Sequence, residues 1–246
     1  MKKIGWQIKF AVVLLFLSFS FYVLDYALFH RLEDLEFYFI SNVAFLFIDV
    51  LIVMLILHGL LVFREKQSML SKLNMVIGTF FSEVGVELIK ACISVDKGLP
   101  VLAAKLKVTA EWKEKDFLSA QAQLEDMDFK ADAGRTPLPE LKKFLLEKRS
   151  FMLGLLENPN LLEHESFTDL LWAVFHLTDE MAHRNDVSAL NPPDLKHISG
   201  DMNRAYRLLA IHWVGYMKHL KQDYPYLFSL AVRTNPFDPG ASVEVK

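Results

Sequence analysis

The residues best placed for chemistry lie in FHLTDEMAHR, residues 175–184. His176, Glu180 and His183 stand at i, i+4 and i+7, which puts them on one face of a helix. Imidazole and carboxylate together form a ligand set for a transition metal. Glu180-x-x-His183 has the spacing used by di-iron carboxylate bundles, but such sites also need a second Glu-x-x-His helix and two further inward Glu residues. The chain has no second Glu-x-x-His. His212 and His219 can supply ring nitrogens, and Glu83 and Glu87 carboxylates, only if separate helices converge.

A competing reading comes from the same helical spacing. Phe167, Leu170, Leu171, Val174, Leu177 and Met181 form an apolar stripe, and His176 and His183 fall nearly opposite its centre. Those two imidazoles then face water or a second interface. His212 and His219 flank the stripe of Leu209, Trp213 and Tyr216, a position common for a core-edge histidine. No metal ligand set is therefore firm, and His176, Glu180 and His183 stand as weak candidates. Gly-rich phosphate loops, nucleophile elbows and kinase signatures are absent, so no cofactor and no catalytic residue is expected. Cys92 is the only cysteine, which excludes an intrachain disulfide and a cysteine zinc site. A net charge of −3 without a clustered basic face gives no nucleic-acid surface.

The second group of chemically unusual residues lies in apolar surroundings. Residues 10–29 and 37–63 are two apolar runs carrying single acids, Asp25 and Asp49. About 20 helical residues span a bilayer, so both runs qualify as transmembrane helices. The first has no small-x-small cleavage site, which argues against a signal peptide. Residues 30–36, HRLEDLE, form the connecting loop, too short for a pore loop or a sensor domain. Lys2, Lys3 and Lys9 precede the pair, and Arg64, Lys66 and Lys72 follow it. The positive-inside rule then places both termini in the cytoplasm.

In an antiparallel hairpin, Asp25 lies level with Ser41 and Asn42, and Asp49 level with Leu17 and Ser18. An intramembrane acid needs a partner, a proton or water. Asp49, Asp25, Ser18 and Asn42 are thus the candidate intramembrane polar residues, serving hairpin packing, an oligomer, or a proton or cation path. The stretch FIDVLIVMLIL resembles the single membrane helix of the ExbD/TolR proton-channel subunits. There the basic flank precedes the helix and the soluble domain lies outside; here the order is reversed, so no role is transferred.

The remaining elements must position the histidines. Residues 64–95 read as one long helix continuing the second span, with a stripe of Met75, Val76, Phe80, Val84, Leu88 and Ala91. Helices are expected over 100–113, 115–131, 140–157, 166–184, 193–222 and 225–233, with 131–139 as a linker and 234–246 as a mobile tail. The aromatic stretch 224–237 reads as a segment that docks on the bundle.

The fold class is all-α: residues 1–9 form a basic N-terminus, 10–63 a transmembrane hairpin, and 64–233 a cytoplasmic bundle of six or seven helices. The functional expectation is a non-enzymatic, membrane-anchored scaffold or regulatory protein. Its partners are the lipid bilayer, further copies of itself and a cytoplasmic protein, with no nucleic acid. The alternatives are an ion- or proton-handling assembly using Asp49 and a metal-dependent membrane enzyme using His176, Glu180 and His183. A reporter active only outside the membrane, fused after residue 246, is expected to stay silent; activity there would reverse the topology.

Overall fold

The computed structural model describes residues 2–29, 32–158, 161 and 165–244. Every element of regular structure among them is helical, apart from a single isolated bridge between Asp96 and Ala131. The chain divides into two compact units, 1–66 and 67–246.

The first unit holds α1 (Lys2–Phe29) and most of the first part of α2 (Leu32–Phe80). Part of the expected connecting loop, from Leu32 onward, is helical. Residues 30 and 31, at the expected turn, lie outside the described residues. Large apolar side chains from Val12 to Leu28 and from Phe37 to Phe63 are exposed. The helical stretch from Glu36 is long and apolar enough to cross a membrane, and Val12–Leu28 is a shorter apolar helix.

In the second unit, α2 passes into a π-helical turn at Phe81–Gly85 and then into α3 (Val86–Ile93). The expected long helix therefore holds, with one irregularity. Phe80, Phe81, Val84, Leu88, Ile89 and Cys92 are buried from it. The turn depends on Gly85, where an added Cβ would lie 2.5 Å from Cδ1 of Phe81. Phe81 cannot swing away easily, since it stacks on Tyr216 at 5.4 Å and meets Phe80 edge-on at 5.5 Å.

The next elements are α4 (Leu99–Leu106), α5 (Glu114–Glu125), α6 (Leu138–Leu156), α7 (Glu165–Ala182), α8 (Pro192–Asp223) and α9 (Pro225–Arg233). The helix expected over 100–113 stops at Leu106. Beyond it, Lys221 donates to the carbonyls of Ala110 and Trp112, giving the non-helical backbone the acceptors' partner it needs. The helix expected over 115–131 ends at Glu125 for a similar reason. Asn203 holds both the N–H and the carbonyl of Ala131, at 2.8 and 2.9 Å, and Ser199 accepts from the N–H of Ala133 at 2.9 Å. The segment 131–139 is thus strapped to α8, with Ala131, Ala133 and Leu138 buried, and is not a loose linker.

The tail expected from residue 234 is also partly core. Asn235 donates to the carbonyl of Leu106 at 2.8 Å, and fully buried Phe237 packs edge-on against Trp213.

At the centre, α8 packs against α3, α5, α7 and α9. It starts on Asn191, whose side chain accepts from the N–H of Asp194, and Pro192 and Pro193 preset its first turn. Ile198, Met202, Ala205, Leu209, Ala210, Trp213, Met217 and Leu220 are its buried apolar positions, recurring at helical spacing. Gly85→Ala is expected to lower stability by about 1–3 kcal/mol through overpacking against Phe81, read as the denaturation midpoint of the detergent-solubilised full chain. An unchanged midpoint would show that the π-helical turn yields freely.

Candidate metal centre

Helices α7 and α8 are joined by a short connection, residues 183–191, and run antiparallel. The register of this hairpin sets His176 opposite Asp201 and Glu180 opposite His197. Each helix offers an i, i+4 pair of one imidazole and one carboxylate, so the two pairs face each other head to tail. Nε2 of His176 lies 3.4 Å from Oδ2 of Asp201 and 3.9 Å from Oε1 of Glu180. Nε2 of His197 lies 3.4 Å from the same Asp201 oxygen and 3.5 Å from Oε2 of Glu180. One ligand atom from each of the four residues fits within a mutual spacing of 4.8 Å.

Those spacings suit a shared ion. Zinc bonds to nitrogen and oxygen of about 2.0–2.1 Å give tetrahedral ligand-to-ligand edges of roughly 3.4 Å. Of the imidazole-to-carboxylate separations, three are within about a tenth of an ångström of that and the fourth, to the other oxygen of Glu180, is 3.9 Å. Imidazole with carboxylate, and no thiolate, belongs to zinc, manganese, iron or cobalt rather than to calcium, which takes oxygen alone.

The site has a floor and a rim. The Asp201 side chain is 4 % exposed and Glu180 25 %, while His176 and His197 are 46 % and 52 % exposed. Asp201 Oδ2 is buried and accepts no hydrogen bond. An ionised oxygen left so is expensive, and an ion at this point satisfies it.

Both carboxylates are also steered from behind. Arg184 Nη1 donates to Glu180 Oε2 at 2.5 Å and Nη2 to Asp194 Oδ1 at 3.0 Å. Arg204 Nη1 lies 3.3 Å from Asp201 Oδ1. Asp201 thus gives Oδ1 to an arginine and turns Oδ2 inward, the arrangement that outer partners impose on metal ligands, while Glu180 shares Oε2 between Arg184 and the His197 side and presents Oε1 to His176. The hydrogen bond from Arg184 holds the Glu180 carboxyl below its ordinary range, against the opposing effect of burial. Glu180 is therefore kept in the ionised form that binds metal.

His176 and Glu180 fall in the cluster; His183, the third weak candidate from the sequence, does not. It lies a turn further on, with Nδ1 2.8 Å from the carbonyl of Asp179. The other residues considered for a bundle-type site are dispersed. Glu83 pairs with Lys148 and Glu87 with Lys90, both at 2.7 Å. His212 Nε2 is 2.9 Å from the Ser166 carbonyl. His219 pairs with Asp223 at 2.7 Å beside an open cavity of about 560 Å³. Cys92 is fully buried, and that burial pushes its thiol up to about 12. Ser18 and Asp25 are exposed on α1, and Asn42 and Asp49 on α2, all in the other unit.

His197 and Asp201 escaped the sequence reading although a signal existed. His197-x-x-x-Asp201 repeats His176-x-x-x-Glu180 across an Asn191-Pro192-Pro193 helix start. Two such pairs flanking a tight turn must meet if the helices pack antiparallel.

Comparison with known proteins places the whole chain. Residues 69–233 match the C-terminal helical domain of the uncharacterized protein MJ1433, and residues 2–61 match the MJ1433 N-terminal helical domain. Uncharacterized protein MJ1433 of Methanocaldococcus jannaschii is 44 % identical over 228 residues, covering 93 % of this chain and 92 % of the relative. No solved structure matches. With two successive domain matches and a relative of that identity along nearly its full length, the chain belongs to the MJ1433 family.

Proposed function

We propose that this protein is a membrane-anchored helical regulatory module whose C-terminal bundle binds one divalent transition-metal ion. The ligands are His176, Glu180, His197 and Asp201. One observation carries the reading: two i, i+4 imidazole–carboxylate pairs converge on a buried carboxylate oxygen that makes no hydrogen bond and has two imidazole nitrogens 3.4 Å away. Membrane anchoring draws its support from the apolar side chains exposed along α1 and the first part of α2. Exposed apolar surface on this scale needs a covering, and a bilayer supplies it. Both units of the chain have counterparts in the same family, each a helical domain.

Metal binding gives the scaffold a means of regulation. An ion held by two residues of α7 and two of α8 ties the helices at one end of their hairpin, and its free energy adds to that of folding. Elemental analysis of the purified full chain in detergent is expected to show about one equivalent of zinc, manganese, iron or cobalt. His197→Ala and Asp201→Asn are each expected to lower metal affinity at least about tenfold, whereas His183→Ala leaves it unchanged. Substoichiometric metal in the wild-type chain after reloading, or a loss caused by His183→Ala alone, would overturn the assignment.

A further inference from the structure

The rim of the cluster carries information beyond metal binding. Structural zinc sites close all four positions inside the protein, while reactive ones leave a face open. Here Asp201 forms the buried floor, Glu180 is partly covered, and both imidazoles stand half exposed above them. Four protein ligands close a tetrahedral ion, but an ion that expands to five or six ligands accepts a further one from solvent on the imidazole side.

Charge decides what that ligand is. The carboxylates of Glu180 and Asp201 balance a divalent ion. Around them, Arg184 and Arg204 bring two positive charges against the single negative charge of Asp194. The loaded centre therefore carries an excess positive charge, which favours an anion. Arg184 is committed, with its side chain 18 % exposed and bonded to Glu180 and Asp194. Arg204 is not committed to the same degree. Its side chain is 58 % exposed, and its Nη1 approaches the far oxygen of the same Asp201 carboxylate that turns Oδ2 inward. A guanidinium has five N–H donors in a planar fork, so most of this one is left for a ligand that approaches Asp201 from solvent.

We infer that the centre binds a phosphate-type oxyanion, one oxygen on the metal and another on Arg204. The inference rests on the metal reading above and adds the ligand class and the residue that selects it. Phosphate and phosphate monoesters share this chemistry: a tetrahedral anion that spans a cation and a bidentate arginine. Arg204 is a binding residue in this scheme, and His176, Glu180, His197 and Asp201 hold the ion.

The test uses the full chain in detergent, loaded with cobalt(II), whose visible spectrum reports changes in its ligands. Titration with inorganic phosphate is expected to alter the cobalt spectrum saturably, and chloride at equal ionic strength is expected not to. In Arg204→Gln, which loses an outer partner of Asp201 and is therefore loaded at a saturating cobalt concentration, the phosphate half-saturation concentration rises about tenfold or more, the scale of one charge-assisted hydrogen bond. Arg204→Lys, which keeps a cation but loses the fork, falls between the two. Failure of the wild-type chain to bind cobalt would remove the metal reading, and this inference with it. Cobalt binding with no phosphate response, or a response unaltered in both variants, would overturn the inference alone and leave the metal site standing.

Discussion

The second unit depends on the burial of one helix. α8 packs against α3, α5, α7 and α9, and its side chains also hold backbone that belongs to no helix. Its sequence explains how a single element can do both. Apolar residues at helical spacing fill the core, while Ser199, Asn203 and Lys221 stand at the margins of that face with donors and acceptors to spare. Those groups replace the hydrogen bonds that segments 107–113 and 129–133 forgo by leaving the helical state. The central helix therefore determines where its neighbours must stop.

This accounts for what was readable in the sequence and what was not. The apolar stripe of α7, the start of α6 at Leu138-Pro139 and the extent of α8 follow from periodicity and capping, which are local. The premature ends of α4 and α5 are not local. They depend on Lys221 and Asn203, far along the chain, and propensity favours continuing those helices. Segment 131–139 misleads for the same reason: Gly134, Pro137 and Pro139 signal a linker, yet Asn203 and Ser199 bind it to the core. The candidate site shows a different limit. His176 and Glu180 were visible as a pair, but choosing between His183 and His197 as their companion required knowing which face of α7 meets α8. The register settles it.

The four clustered residues also show how a polar site survives beside an apolar core. Asp201 is buried, beside the fully buried Ile198 and Met202. Arg204, one turn along α8 from Asp201, and Arg184, just past the end of α7 from Glu180, supply compensating charge without bringing in a third helix. Most of the polar machinery thus lies within one hairpin, and the rest of the bundle needs only to hold that hairpin closed.

The contact of Asn235 and Phe237 with Leu106 and Trp213 has a temporal meaning. A ribosome emits α4 long before it emits residue 237, so the Leu106 carbonyl waits for Asn235 throughout the making of α5 to α9, and Trp213 waits for Phe237 from the completion of α8. The bundle passes through synthesis as an unlatched box, with nearly every wall in place and its final seal still to come.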